Sequence, residues 1–194
     1  MKNKPDLILI GGGGHCKACI DVVELEGKYN IVGILDNSKN SKGVFTYPCI
    51  GGDDLIPELA DRDFFFFIVI GQIKSYAVRK RIGDLLEKSR AKIATIISPL
   101  AYVSKHAQVE AGVIVMHHAV VNAAAKVGKH SIINTFANIE HDVEVQDYCH
   151  ISTGAIVNGS SCIGFGSFVG SNSTISNNVL VNPESIISAG SFYK

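Results

Sequence analysis

A valine or an isoleucine stands at every sixth residue through the second half of this 194-residue chain, without a single insertion. The series comprises Val103, Val109, Val115, Val121, Val127, Ile133, Ile139, Val145, Ile151, Val157, Ile163, Val169, Ile175, Val181 and Ile187. A spacing of six fits neither the helical period of 3.6 nor the two-residue alternation of a strand alone. A repeat this short decides the fold, because each unit must stack on the next to bury its apolar residue.

Each hexad is predicted to be a short strand followed by a corner. A mostly small residue stands two positions before the aliphatic one, as at Ala119, Ala137 and Ala155, and leaves room at the bend. Three hexads make one coil of 18 residues, so the fifteen hexads predict five coils of a left-handed parallel β-helix. A meander of antiparallel strands would show strict alternation and hairpin turns, and the sequence shows neither.

The first half of the chain alternates predicted strands with predicted helices, which is typical of a small Rossmann-like parallel sheet. The predicted strands are residues 6–10, 30–36, 64–71 and 92–98, and the predicted helices are residues 17–26 and 75–88. Pro99 ends the last strand. We therefore predict an α/β domain over residues 1–98 and a β-helix over residues 99–194.

Glycine-rich and polar segments follow three of the first-half strands. They are Gly11–His15, Asp36, Asn37, Gly71 and Gln72. Parallel sheets bind ligands at strand carboxyl ends, so these segments should converge on one crevice. The glycine turn leaves N–H groups open for a phosphate at a helix start, and Asp36 can bond a ribose hydroxyl. Cys16 occupies the third glycine position of the dinucleotide fingerprint, which disfavours NAD, and a tight connection without a ligand is the alternative.

Composition excludes several classes of function. The 18 basic residues equal the 18 acidic ones, so no basic excess indicates a nucleic-acid partner. The longest apolar run, Phe64–Ile70, is far shorter than a membrane span of about 20 residues. Five irregularly placed cysteines argue against a disulfide framework and a zinc site, so we expect a reduced, cytoplasmic protein. Cys16 and Cys19 form a C-x-x-C pair, for which packing is favoured over redox chemistry.

Short blocks along the chain match, in the same order, those of a known family: GGGGH, ILDN, VIGQ, NTFANIEHD and HISTGAIVNG. With these blocks almost the whole chain resembles the bacterial sugar acyltransferases that include bacillosamine-pathway N-acetyltransferases and sialic-acid O-acetyltransferases. The resemblance implies a homotrimer in which acetyl-CoA lies in a groove between neighbouring solenoids.

The resemblance also implies a role for individual residues. It makes His141 the general base, Asp142 the acid that orients it, and Asn134 a further active-site residue. The residues implied for acetyl-CoA are His150, at the thioester, and the backbone near Ser171 and Ala189. The residues implied for the nucleotide sugar are Gly13, Gly14, His15, Asp36, Asn37 and Gly71. It implies no metal ligand.

The residues around His141 support a catalytic role independently. His141 lies two residues past the inward-facing Ile139, at a strand end or corner, and is predicted to point outward. Its neighbours one coil away are Ala123 and Gly159, which leave an open notch around the imidazole. Adjacent carboxylates fix a tautomer, and an imidazole with an ordinary pKa of about 6.5 suits proton removal near neutral pH.

The resemblance, together with these residues, implies an acetyl-CoA-dependent N-acetyltransferase for a nucleotide-linked amino sugar, a UDP-4-amino-4,6-dideoxy sugar of a surface-glycan pathway. The chain has no G-x-S-x-G motif and no evident activated cysteine, which favours direct transfer over an acyl-enzyme. Two alternatives stay open: O-acetylation of a sugar such as sialic acid, and a non-catalytic hexad protein for assembly or binding. Without the resemblance, His150 is as readily a structural histidine with satisfied hydrogen bonds as a site residue.

Overall fold

The computed structural model describes residues 4–38 and 41–194, which divide into two compact units. One unit comprises Met1–Gly71 and Ala77–Thr95, and the other comprises Gln72–Tyr76 and Ile96–Lys194. This division differs in two places from the expected boundary at residue 98. Strand pairing assigns Ile96–Ile97 to the second unit, and the segment Gln72–Tyr76 clusters with that unit although first-unit sequence lies on both sides of it.

The first unit is built on a mainly parallel sheet. Its strands are β1 (Asp6–Ile10), β2 (Asn30–Leu35), β3 (Gly43–Val44), β4 (Tyr47–Gly51), β5 (Phe65–Ile68) and β6 (Lys92–Ile93). They lie in the order β3-β4-β2-β1-β5-β6, with β3 and β4 antiparallel and the other neighbours parallel. The helices are α1 (Gly14–Glu26), α2 (Ile56–Ala60) and α3 (Ala77–Lys88), and a 3₁₀ turn at Asp53–Leu55 precedes α2.

Apolar runs and end signals explain these elements. Residues 7–10 of β1 are at most 2% exposed, as expected for a central strand that is covered on both faces. Helix α1 begins at Gly14, earlier than predicted, and ends at Glu26; Gly27 caps it with a φ of +67° and donates its N–H to the Val23 carbonyl. The β3–β4 hairpin is not among the predicted elements, and the predicted strand 92–98 is divided in the structure between β6 and the first hexad strand, Ile96–Ile97.

Two-residue strands recur every six residues through the second unit. They are β7 (Ile96–Ile97), β8 (Tyr102–Val103), β9 (Gln108–Val109), β10 (Ile114–Val115), β11 (Val120–Val121), β12 (Lys126–Val127), β13 (Ile132–Ile133), β14 (Asn138–Ile139), β15 (Glu144–Val145), β16 (His150–Ile151), β17 (Ile156–Val157), β18 (Cys162–Ile163), β19 (Phe168–Val169), β20 (Thr174–Ile175), β21 (Leu180–Val181), β22 (Ile186–Ile187) and β23 (Phe192–Tyr193). Within residues 96–194, every third strand pairs in parallel, which gives the three faces of a left-handed β-helix. The predicted fold is confirmed.

The inward-facing residues of the hexads form one apolar column. Residues 18 apart are partners in neighbouring coils, such as Val115 with Ile133 and Ile133 with Ile151. From Val115 to Ile187, every inward-facing Val or Ile is at most 5% exposed. Burial of each such side chain contributes about 1.5–3 kcal/mol, so this column is the main source of the solenoid's stability.

From residue 112 onward, one residue in each corner has a left-handed backbone conformation. These residues have φ between +55° and +76° and are Gly112, His118, Ala124, His130, Phe136, Asp142, Tyr148, Gly154, Ser160, Gly166, Asn172, Asn178, Glu184 and Gly190. Such φ values are uncommon for residues with a side chain. From His130 onward each corner N–H donates to a carbonyl of the preceding coil, as Asp142 does to Ala123 at 3.1 Å. These bonds fix the backbone from which corner side chains project.

Two further features are the absence of a membrane-spanning helix in the described ranges and the state of the cysteines. No helix in the described ranges is long and apolar enough to cross a membrane. The five cysteines, all within those ranges, are free thiols. Burial raises the pKa of Cys16 to about 11 and raises the pKa of Cys19 as well, which disfavours the thiolate needed for redox chemistry. The structure therefore supports the packing interpretation of the C-x-x-C pair.

Candidate active site

The corner after β14 carries the predicted base. The side chains of His141 and Asp142 are 58% and 59% exposed, so this corner projects from the β-helix as predicted. His141 Nδ1 and Asp142 Oδ2 are 2.8 Å apart. When Nδ1–H donates to this carboxylate, Nε2 keeps its lone pair and can accept a proton. The fixed backbone of Asp142 thus holds the imidazole in one tautomer and one orientation.

A glycine one coil further on forms the floor beneath this imidazole. A Cβ built on Gly159 would lie 2.7 Å from His141 Cε1 and 2.8 Å from Nε2. Contacts this short do not occur between real side chains, so the ring keeps this position only because residue 159 has no Cβ. The small neighbour that the hexad register predicts is therefore required by the position of the ring.

The second acid beside His141 has another role. Glu140 accepts hydrogen bonds from the side-chain amides of Asn138 and Asn122, both at 3.0 Å. The Asn138 amide, aided by Asn122 and the His141 backbone N–H, lowers the pKa of Glu140 against the opposing effect of partial burial. Of the two carboxylates that flank the imidazole in sequence, Asp142 is the one that hydrogen-bonds to it.

Asn134 and His150 lie on a different edge of the solenoid from His141. Asn134 begins the corner after β13, whereas His141 lies in the corner after β14. His150 is the outward residue of β16, which pairs with β13 one coil away. The face that contains β14 separates these two edges. One chain therefore does not bring Asn134 and His141 together on a single edge.

His150 is buried, with both ring nitrogens engaged inside the second unit. It is 5% exposed, and its Nδ1 lies 2.5 Å from the backbone oxygen of Gln72. A carbonyl oxygen only accepts, so Nδ1 carries the proton and Nε2 accepts from Asn134 Nδ2 at 3.0 Å. The Thr135 N–H donates to Asn134 Oδ1 at 2.8 Å, which fixes that orientation of the carboxamide. Contact between His150 and a thioester stays a prediction.

Ser171 and Ala189 lie in successive corners on the same edge as Asn134. The Gly190 N–H donates to the Ser171 carbonyl at 2.8 Å, and Ser171 Oγ is 2.9 Å from Ser152 Oγ. This edge presents a row of small residues over several coils. Such a strip leaves room for an extended ligand, and the position of CoA along it stays a prediction.

The residues predicted for the nucleotide sugar lie in the first unit. A cavity there is lined by Ile10, Gly11, Leu35, Asp36, Asn37, Asp53, Ile70, Val78, Arg81 and Ile82. Gly13 is the N-cap of α1 and Gly14 is its first residue; both are exposed, and a Cβ added to either would have no heavy atom within 4 Å. A Cβ on Gly71 would lie 3.4 Å from His15 Cβ, which places those two residues together.

Asp36 stabilises the glycine turn at Gly11–His15 through a hydrogen bond. One carboxylate oxygen accepts the Gly12 N–H at 2.6 Å, and the other accepts the Ser38 N–H at 2.7 Å. Each carboxylate oxygen has a second lone pair, so a ribose hydroxyl can still donate to it. The contact with ribose stays a prediction, and the structure adds a role in shaping the turn.

Asp53 and Arg81 form an ion pair in the cavity wall that is not predicted from the sequence. Arg81 donates to Asp53 at 2.6 Å, and Asn37 Oδ1 accepts the Asp53 N–H at 3.0 Å. Partial burial would raise the pKa of Asp53, but hydrogen bonds from Asn37 and Arg81 and the guanidinium charge outweigh it and lower the pKa. Because Asp53 and Arg81 lie 28 residues apart, no local pattern links them.

One expected crevice residue lies elsewhere. Gln72 follows Gly71 directly, yet its side chain bonds within the second unit, to the carbonyls of Tyr148 and Gly166. The expectation that Gln72 lines the crevice is therefore wrong. The reason is that the chain after β5 leaves the first unit for five residues before α3 begins.

Known proteins share both halves of this architecture. The family model for the PglD N-terminal domain matches residues 6–86. The acetyltransferase domain of PglB from Neisseria gonorrhoeae FA1090, solved with acetyl coenzyme A, is 30% identical over 97% of this chain and 90% of that one, with a TM-score of 0.90. The chain belongs to the bacterial sugar acyltransferase family.

Two further relatives resemble this sugar acyltransferase. UDP-N-acetylbacillosamine N-acetyltransferase from Bacillus subtilis (strain 168) is 31% identical over 123 residues, which are 60% of this chain and 52% of that protein. The chain thus spans about half the length of that curated relative. PerB from Caulobacter crescentus, solved with CoA and GDP-perosamine, is 26% identical over 95% of this chain and 91% of that one, with a TM-score of 0.67. The predicted family is confirmed.

Proposed function

We propose that this sugar acyltransferase transfers an acetyl group from acetyl-CoA to the amino group of a nucleotide-linked amino sugar, a UDP-4-amino-4,6-dideoxy sugar. The observation that carries the proposal is the His141–Asp142 pair, an exposed corner imidazole held by a carboxylate above a glycine floor. The relatives support the same reaction class, since they include an amino-sugar N-acetyltransferase and structures solved with acetyl-CoA or with CoA and GDP-perosamine.

The pair supplies the proton transfers of direct acyl transfer. The sugar nitrogen attacks the thioester carbonyl, a C–N bond forms, and the carbonyl π electrons move to oxygen. His141 Nε2 takes the proton that the nitrogen sheds, while Asp142 stabilises the resulting imidazolium. The C–S bond then breaks, and the departing sulfur receives that proton from His141. The products are an amide and the CoA thiol.

The donor for the oxyanion is a separate requirement of this reaction. In the neutral tautomer of His150, Nδ1–H donates to Gln72 and Nε2 accepts from Asn134. In that state His150 has no N–H directed at a thioester oxygen. The oxyanion therefore requires another donor, and His150 and Asn134 would shape the solenoid edge that carries Ser171 and Ala189.

The first unit would hold the nucleotide. Gly13 and Gly14 are exposed at the start of the 13-residue helix α1, where the first N–H groups have no partner within the helix and the dipole favours a diphosphate. The cavity beside them combines apolar walls with the polar groups of Asn37, Asp53 and Arg81. Such a lining suits a flat heterocyclic base, and Asp36 and His15 would complete the contacts with the nucleotide sugar.

The active unit that we propose is a homotrimer. In one chain His141 and Asn134 lie on different edges of the solenoid, so a site that uses both needs the edge of a neighbour. Cyclic packing of three β-helices would bring the His141 edge of each subunit to the Asn134 edge of the next. The row of small residues at Ser171 and Ala189, along which CoA is predicted to bind, would then lie in the same groove.

We also propose that the protein works in the cytoplasm, in the synthesis of a surface glycan. The support is the set of five free thiols, of which Cys16, Cys19 and Cys149 are buried, since such thiols suit a reducing compartment.

The test is a panel of acceptors with released CoA as the readout. Purified protein is assayed with acetyl-CoA and a UDP-amino sugar, a GDP-amino sugar or free sialic acid, and products are identified by mass. We expect N-acetylation of a nucleotide-linked amino sugar and no turnover of free sialic acid. Efficient O-acetylation of sialic acid, with both nucleotide amino sugars untouched, would replace the proposal with the O-acetyltransferase alternative.

A further inference from the structure

The segment Gln72–Tyr76 is held on the solenoid at both of its ends. At its start, Gln72 is 2% exposed and its Nε2 donates to the carbonyls of Tyr148 at 2.7 Å and Gly166 at 3.1 Å. These two acceptors determine the orientation of the carboxamide, because a side-chain oxygen in that place would face two other oxygens. The side chain thereby fixes the position of its own backbone.

The other end is anchored by an aromatic residue. The Tyr76 hydroxyl donates to Glu184 at 2.6 Å, and its ring packs edge-on against Phe165 with centroids 5.1 Å apart. Gly166 makes room for this ring, since a Cβ there would lie 2.7 Å from it. The segment is therefore a defined part of the second unit rather than a loose connection.

The backbone oxygen of Gln72 begins a directional chain of hydrogen bonds. It accepts from His150 Nδ1, so the neutral imidazole presents a bare Nε2. That Nε2 accepts from Asn134 Nδ2, and Asn134 Oδ1 in turn accepts from the Thr135 N–H. The opposite tautomer would place two N–H groups against each other at Nε2 and leave the Gln72 oxygen unpaired. The Gln72 carbonyl thus selects the tautomer of His150, and the Thr135 N–H holds the Asn134 carboxamide in the orientation that suits this tautomer.

We propose that Gln72 is a positioning residue, which fixes the tautomer of His150 and thereby secures the hydrogen bond from Asn134 to His150 Nε2. The consequence for catalysis rests on the proposed function, in which Asn134 and His150 line the acetyl-CoA edge. Loss of the two side-chain bonds of Gln72 would free its backbone oxygen to move. His150 would then sample both tautomers, and its hydrogen bond from Asn134 would be lost in the tautomer that carries the proton on Nε2.

The first test needs no substrate. Histidine labelled with ¹⁵N is incorporated, and the His150 signals are assigned by comparison with His150→Gln. We expect the neutral ring of wild-type His150 to carry its proton on Nδ1, and Gln72→Ala to show a mixture of tautomers. A wild-type His150 protonated on Nε2 would overturn the proposal, as would a folded Gln72→Ala that keeps the wild-type tautomer.

The second test is kinetic and includes a matched control. Gln72→Ala should lower kcat roughly ten- to a hundredfold, the cost of a misplaced site group, with the amino-sugar KM within about twofold. Tyr76→Phe removes a hydrogen bond from the same segment but none from the chain that leads to Asn134, so its kcat should stay unchanged. An equal loss in both variants would show that the segment matters only for folding and would overturn the proposal.

Two features keep these tests decisive. Gln72→Met, which keeps the length of the side chain but has no donor, replaces Gln72→Ala in both experiments if the alanine variant does not fold. The wild-type spectrum decides the tautomer without any variant. If the wild-type protein acetylates no amino sugar, the proposed function fails, while the spectra still decide whether Gln72 sets the tautomer of His150.

Discussion

The imidazole of His141 rests on the backbone of Gly159, and a Cβ at residue 159 would lie 2.7 Å from its Cε1 atom. The two residues are 18 positions apart, which is one coil of the solenoid. The contact makes the position of the base depend on a residue that has no functional group of its own.

We therefore predict that Gly159→Ala displaces the imidazole and lowers kcat roughly ten- to a hundredfold, because small displacements of a site group cost that much. The melting temperature should change little, since the His141 ring can move outward into solvent. Ser160→Ala is the control, because residue 160 is exposed and keeps the same corner. Wild-type kcat in Gly159→Ala would show that the position of the ring is unimportant.

The two acids beside His141 should differ in their contribution. Asp142→Asn replaces the carboxylate that accepts from Nδ1, so it should lose a large part of the about 10²–10⁴-fold that a general base supplies. Glu140→Gln removes a similar charge from a residue that bonds to Asn122 and Asn138 instead, and kcat should fall much less. Steady-state kinetics on both variants compares them, and a greater loss in Glu140→Gln would contradict the assignment.

Glu140 should also contribute to stability at low pH. Its pKa is lowered in the folded protein, chiefly by the Asn138 amide, so its stabilising contribution is complete above the pKa of the unfolded chain. That contribution is lost as the pH falls through the lower folded value. Between pH 5 and 3 the melting temperature of the wild type should therefore fall more steeply than that of Glu140→Gln. Parallel curves for the two proteins would refute this.

The sequence predicts the column of inward-facing residues well, because a fixed period states directly which side chains share a face. It also predicts that His141 points outward between small neighbours. It cannot predict the partner of His150, since Gln72 lies 78 residues earlier and the choice depends on how one short segment leaves β5. The left-handed corner at Asp142 is likewise hidden, because the corner position holds Gly, Asn, Ala, His, Phe and Glu along the chain.

Mixed trimers would test whether sites form between subunits. His141→Ala and Asn134→Ala should each be inactive alone, but co-expressed chains should recover up to about one quarter of wild-type activity, since some sites then combine two intact edges. His141→Ala mixed with Asp142→Asn should recover nothing, because both changes lie on the same edge. Failure of the first mixture, in trimers shown by mass to contain both chains, would contradict a shared site.

The most direct test of the account is the turnover of His141→Ala. The measurement is kcat for CoA release, with the acceptor that the panel identifies, in wild type and in a variant whose melting temperature matches it. We predict a loss of about 10²–10⁴-fold, the usual contribution of a general base. A folded His141→Ala that keeps kcat within a few-fold of wild type would contradict the central claim that His141 is the base.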